Sequence, residues 1–280
     1  MSQMPDIDRL LEVDGKNVRA MQKVFAGYQG LPELLNEAVV LHQTCSRALE
    51  QALRHESHHQ PYDLPLDSPI TAGVEAKLFR SFLFARLGNL YAAAVADLLR
   101  MRLTAPLGYV RLLCESIALL KLMAEDASIL QQWVNIQSDQ DGKTFFQKYQ
   151  KQVRHVLSAY NLAEAYNQAS GSAVHCRFIG VARGYQSIRQ TDGLRSIDRH
   201  MMLVQEFDPK KPYYFMQSVF IVLNVQASIF THLHDLLPEI HDPLLLETRI
   251  PQYLDRVTAM TEGARTYFAQ YYPNTAKQGH

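Results

Sequence analysis

LTAPLGYVRLLCESIALLKLMA, Leu103–Ala124, is the stretch whose reading decides the fold. Thr104 is a helix-capping residue type, and Pro106 falls where a first helical turn tolerates it. From Leu107 onward the stretch is apolar on nearly every side of a helix. Helices of that kind are enclosed by other helices. Arg111 and Glu115 interrupt the pattern four residues apart, and so on one face. Two charges on an enclosed helix are costly unless they pair and find further hydrogen bonds. The stretch therefore predicts an all-α, multi-helix bundle with a polar cluster completed from elsewhere in the chain.

The flanking sequence fits that bundle. A first helix is expected over Asn17–Tyr28, after a loose lead-in at residues 1–14, and it ends near Gly27 and Gly30. A second runs from Pro32 to about His58, with Leu34, Leu35, Ala38, Leu41, Cys45, Ala48, Leu49 and Ala52 at three- and four-residue steps. HHQPYDLPLDSPITAG, His58–Gly73, holds three prolines without a period and reads as a loop. Val74 to Met101 is a further helix, whose YAAAVA segment permits close helix approach. After Ala105–Glu125, Asp126 caps a helix carrying Trp133, and polar SDQDG closes it. Thr144–Ser170 reads as one helix, Pro212–Leu237 as another, and Pro251–Tyr272 as the last.

Between them the period fades. RFIGVARGYQSI and LRSIDRHMMLVQEF flank RQTDG, which has turn chemistry. Residues 176–208 are therefore expected to form a small β-hairpin or an irregular insertion. The expected organisation is one helical domain over 1–280. It has a main bundle at 15–175, an insertion at 176–211 and C-terminal helices at 212–272.

The 280 residues carry 28 basic and 28 acidic side chains, a balance that argues against a surface coated by nucleic acid. Arg outnumbers Lys, and Arg suits buried pairs and bidentate anion contacts. Cys45, Cys114 and Cys176 are far apart and odd in number, which fits reduced thiols rather than a disulfide framework. The acidic start MSQMPDIDRLLEVDG is no signal peptide, and FIVLNVQASIF near the C-terminus is too short and polar to span a bilayer. A cytoplasmic protein without membrane contact is expected.

The expected polar cluster is Arg111 and Glu115 met by Ser170, Ser172 and His175, from AYNQASGSAVHCR. A His175 donating to Glu115 would have a fixed tautomer and a raised basicity. A histidine so placed is more often a hydrogen-bonded core residue than a catalyst, although the same arrangement would serve a general base. Arg177, Arg183, Arg189, Arg195 and Arg199 form a basic stretch. It reads either as a solvated face or, with Phe178 and Tyr185, as an anion or nucleic-acid contact. His55, His58 and His59, and likewise His232, His234 and His241 with Asp235 and Asp242, lack a metal-site spacing and read as solvated. No phosphate loop or nucleophile elbow is present, so neither a metal nor a cofactor is expected.

YVRLLCESIALLKLMAEDASILQQWV and the later YNQASGSAVH together resemble a widespread group of bacterial helical proteins. That group is defined by an Arg-x-x-x-Glu helix and a Ser/His element. It in turn resembles abortive-infection and HEPN-like domains. The likeness covers about Val74 to Arg183 and matches Arg111, Glu115, His175 and Ser170 or Ser172. It brings no assigned activity with it. The helical fold, neutral charge and lack of a strong catalytic motif point to an interaction or ligand-sensing protein, to which the resemblance adds a link to phage defence. The alternative it implies is a HEPN-like RNA-cleaving enzyme acting as a homodimer.

HEPN-type ribonucleases use an Arg-x(4–6)-His motif. Arg54 with His59, and Arg195 with His200, fit that spacing. Roughly two such matches are expected by chance at this Arg and His content. The motif therefore adds little to the resemblance. An interaction protein and a dimeric ribonuclease both remain open at this point.

Overall fold

The computed structural model describes the backbone of residues 7–57, 69–100, 104–170 and 213–271. Side chains are described over 15–52, 77–100, 105–133, 135–170 and 216–266. All regular structure among the described residues is helical, as the sequence predicts. The hairpin or insertion expected at 176–208 lies outside the described residues.

α1 spans Ile7–Ala26, so the expected lead-in is largely helix. The acidic run and Gly15 conceal an amphipathic period whose later turns bury Met21 and Phe25. Gly30, at φ 84, makes the left-handed turn into α2, Leu31–Ser57. α2 buries the stripe Leu34, Leu35, Ala38, Leu41, Cys45 and Leu49.

α3 spans Pro69–Leu99 and packs on α2. It starts earlier than expected because proline fits a first helical turn. Gly88 marks the close approach of the two helices, since a Cβ there would lie 3.2 Å from His42 Cβ and Cγ. Within α3, Lys77–Leu99 is long and apolar enough to cross a membrane by length and composition, with 39% of that window buried inside the fold.

α4, Thr104–Glu125, packs against α3. It also meets α5 (Ala127–Val134), α6 (Asp139–Ala159), α7 (Ala163–Ala169), α8 (Tyr213–Thr231) and α9 (Leu233–Leu236). Val110, Leu113, Cys114, Ile117, Ala118 and Leu120 on it are fully buried. Asp126 caps α5 as expected, accepting from Ser128 N at 2.9 Å. SDQDG opens α6 rather than closing α5, because Ser138 is itself a cap and accepts from Asp141 N.

The expected single helix Thr144–Ser170 is two. α6 stops at Ala159, and Asn161 turns the chain at φ 56 before α7. Asn tolerates that left-handed conformation better than most residues. α10, Ile250–Tyr271, is entered through a π-helical turn at Leu245–Arg249, and Asp242 Oδ1 accepts from Leu245 N ahead of it. α10 packs on α8 and α2, returning the chain to its first half.

Buried side chains from α1 to α10 form one contiguous apolar cluster. Arg80 of α3 pairs with Glu239 beyond α9, both nearly enclosed. Burial lowers the Arg80 pKa, and Arg80 Nε and Glu239 Oε2 lack a hydrogen-bond partner.

Candidate functional site

α4 is less enclosed than its sequence implies. Ala105, Gly108, Tyr109, Arg111, Leu112 and Glu115 line a trough of about 490 Å³ along its outward side. These positions recur at three- and four-residue steps and so share one arc of the helix. Leu112 is 39% exposed there. Arg111 and Glu115 retain 22% and 21% of their side-chain exposure. They stand at a margin of the trough, not inside a closed core as the sequence suggested. The inward residues of α4 account for its apolar reading, and the exposed arc is hidden because Leu112, Tyr109 and Ala105 are also apolar.

The pair itself forms as expected. Arg111 Nε donates to Glu115 Oε1 at 2.8 Å. The same oxygen accepts from the Tyr166 hydroxyl on α7 at 3.2 Å. The Arg111 guanidinium lies 5.7 Å from the centre of the Tyr166 ring, within cation–π range. Burial alone would lower the Arg111 pKa, but the hydrogen bond and charge of Glu115, aided by Tyr166, raise it overall. Burial raises the Tyr166 pKa, and the Glu115 charge adds to that while Arg111 opposes it. The site at neutral pH thus sets a guanidinium and a neutral phenol around the Glu115 side chain. It can donate and accept hydrogen bonds, and among the described residues it presents no activated nucleophile.

Ser170 sits at the end of α7, where its buried Oγ finds no acceptable hydrogen-bond partner. It lies close enough to the Tyr166 hydroxyl to oppose part of that pKa rise. Arg111 Nη1 is also buried and unpartnered. Ser172 and His175 lie outside the described residues, as do Arg177, Arg183, Arg189, Arg195, Arg199, His200 and His59. Arg54 lies on α2 without a described side chain. Among the described residues Tyr166, which the sequence does not single out, joins Arg111 and Glu115, and Ser170 lies beside Tyr166. Its signal was present, because Tyr166 stands one helical turn before Ser170.

A second polar group was missed entirely. His42 of α2 is buried against Phe84, Tyr91 and Phe230, with ring centres 4.9, 6.5 and 5.2 Å away. Its Nε2 is 2.6 Å from Gln226 Nε2. Burial drives its pKa down to about 4, partly offset by Gln226, so the ring is neutral. With the Gln226 amide donating to Nε2, the ring proton falls on Nδ1, which has no acceptor. His42 stands between Leu41 and Cys45 on the apolar arc of α2, and that position signals burial.

The remaining candidates separate. His232 stacks on Tyr160 at 3.8 Å and lies 3.8 Å from Asp235 Oδ2. No group of three metal-ligating side chains exists among the described residues. Cys45 and Cys114 are free thiols, and burial pushes both up to about 12, which leaves them unreactive. Comparison with protein-family models, curated proteins and solved structures returns no match to the chain.

Proposed function

We propose that the chain is an interaction or ligand-sensing protein whose recognition face is the outward side of α4. One observation carries this reading. The Arg111–Glu115 pair, on a helix whose other face is buried in the core, stands partly exposed beside a trough of about 490 Å³. For a partly buried pair of this kind the cost of desolvation offsets much of the mutual attraction. Stability alone is a weak reason to place it there. Tyr166 holds the pair from α7 through the hydroxyl bond to Glu115 and the ring beneath Arg111, so the face is preorganised rather than loose. The link to phage defence belongs to the same proposal and rests on the resemblance alone.

Native mass spectrometry of protein purified without denaturation tests the reading. Gly108→Leu projects into the trough, because a Cβ at Gly108 meets nothing within 4 Å. The expected result is a bound species on the wild-type protein that is absent from Gly108→Leu, with melting temperature preserved. The proposal is overturned if the protein degrades RNA or turns over a small molecule, and Glu115→Ala abolishes that at unchanged melting temperature. RNA cleavage lost on Arg54→Ala or Arg195→Ala would favour the dimeric ribonuclease instead.

A further inference from the structure

We infer that the occupant of the α4 face is the same face of a second copy of this chain, packed antiparallel; the inference rests on the recognition face proposed above. The trough is walled, among the described residues, by α4 alone. A single helix makes half of a packing groove, and no other described element supplies the second half. Ala105 and Gly108 are small and Leu112 protrudes one turn beyond Gly108, a relief that admits another helix closely. Gly108 is unfavourable in a helix interior, and no described neighbour requires its missing side chain. Close approach of an incoming backbone would account for it.

The charges select the partner. Arg111 and Glu115 lie two residues before and two after Leu113. A two-fold axis perpendicular to α4 at that level carries each onto the height of the other. In antiparallel helices related this way, like margins face each other. Arg111 of one copy therefore meets Glu115 of the other, and the reverse contact follows by symmetry. Each copy already orients its pair through Tyr166, so four alternating charges close into a ring. A partner of different sequence would have to supply this complement separately, whereas the second copy carries it. One helix face per copy is small for a protein interface, so the association is weak and rapidly exchanging.

Sedimentation velocity across a concentration series tests this. The wild-type protein is expected to pass from monomer to dimer as concentration rises. Leu112→Glu, at an exposed position, is expected to remain monomeric with its helical circular dichroism unchanged. Arg111→Glu and Glu115→Arg each place like charges across the axis and are expected not to self-associate. An equimolar mixture of those two restores both cross pairs, and should dimerise at least tenfold more tightly than either alone.

A wild-type protein that stays monomeric throughout overturns the inference, as does a mixture that associates no better than its components. A monomer that still loses a bound species on Gly108→Leu discards the second copy but keeps the recognition face. A monomer from which Gly108→Leu removes nothing discards both.

Discussion

His42 shows what a single buried residue does to the whole fold. The unfolded chain protonates it near 6.5, whereas the folded ring stays neutral down to about 4. A folded-state pKa depressed in this way favours the native state fully above the unfolded value. That contribution is lost as pH falls from about 6.5 to about 4, because the unfolded chain then binds a proton the folded chain refuses. A gap of this size corresponds to roughly 3 kcal/mol. Urea unfolding at pH 7 and pH 4 should therefore show a smaller loss in His42→Leu/Gln226→Leu than in the wild-type protein, by about that amount. The double variant is used because His42→Leu alone leaves the Gln226 amide unpaired in the core. Equal losses in the two proteins would refute the burial argument.

The same residue scale shows what the sequence could reveal. Arg111 and Glu115 were legible because charges within an apolar helix violate the surrounding pattern. Their exposure was not, because Leu112 and Ala105 look the same to a periodicity whether they face a core or a trough. Tyr166 was passed over because tyrosine on an apolar arc reads as packing, and only the third dimension shows where its hydroxyl goes.

At the scale of elements, helices with strong periods and good caps were legible, and their breaks were not. Asp126 and Ser138 both cap as their residue types demand. The break between α6 and α7 escaped because Val153, Val156, Leu157, Tyr160 and Ala163 continue a helical period straight through it. The stop is instead made by one residue in the left-handed region, Asn161 at φ 56. Its neighbours fix it there: Asn161 N donates to Ser158 O at 3.1 Å and Leu162 N to Leu157 O at 2.7 Å. A β-carbon costs roughly 1–2 kcal/mol in that conformation, and Asn offsets part of the cost through its short polar side chain. Asn161→Gly should leave stability unchanged or slightly raised. Asn161→Ala should lower it by about 1 kcal/mol, read as a shift in urea midpoint. If Ala proved as stable as Gly, the left-handed turn would not be what separates the helices. The break matters for the site, because α7 is the element that brings Tyr166 to Glu115.

For the whole molecule, the sequence reading of one helical domain makes a thermodynamic demand. α10 packs back on α2, and the apolar cluster includes Met21 of α1 and Tyr253 and Val257 of α10. If those contacts bind the chain into one cooperative body, the two ends of the sequence must unfold together. The single tryptophan reports on one place in that body. Trp133 lies on α5, with its ring centre 4.9 Å from that of Phe79 on α3. Far-UV circular dichroism weights every helix instead, including α8 and α10. In urea, tryptophan fluorescence and ellipticity should give coincident midpoints, although chains beyond about 150 residues often depart from two-state behaviour. A fluorescence transition that precedes or follows the helical one would mean that the α3–α5 region unfolds apart from the C-terminal helices. Arg80→Leu/Glu239→Leu sharpens the comparison, since this pair ties α3 to the segment beyond α9. Replacing both partners leaves no charge buried alone. The two midpoints should then move together in a single-domain chain, and separate only if that tie is what joins two weaker units.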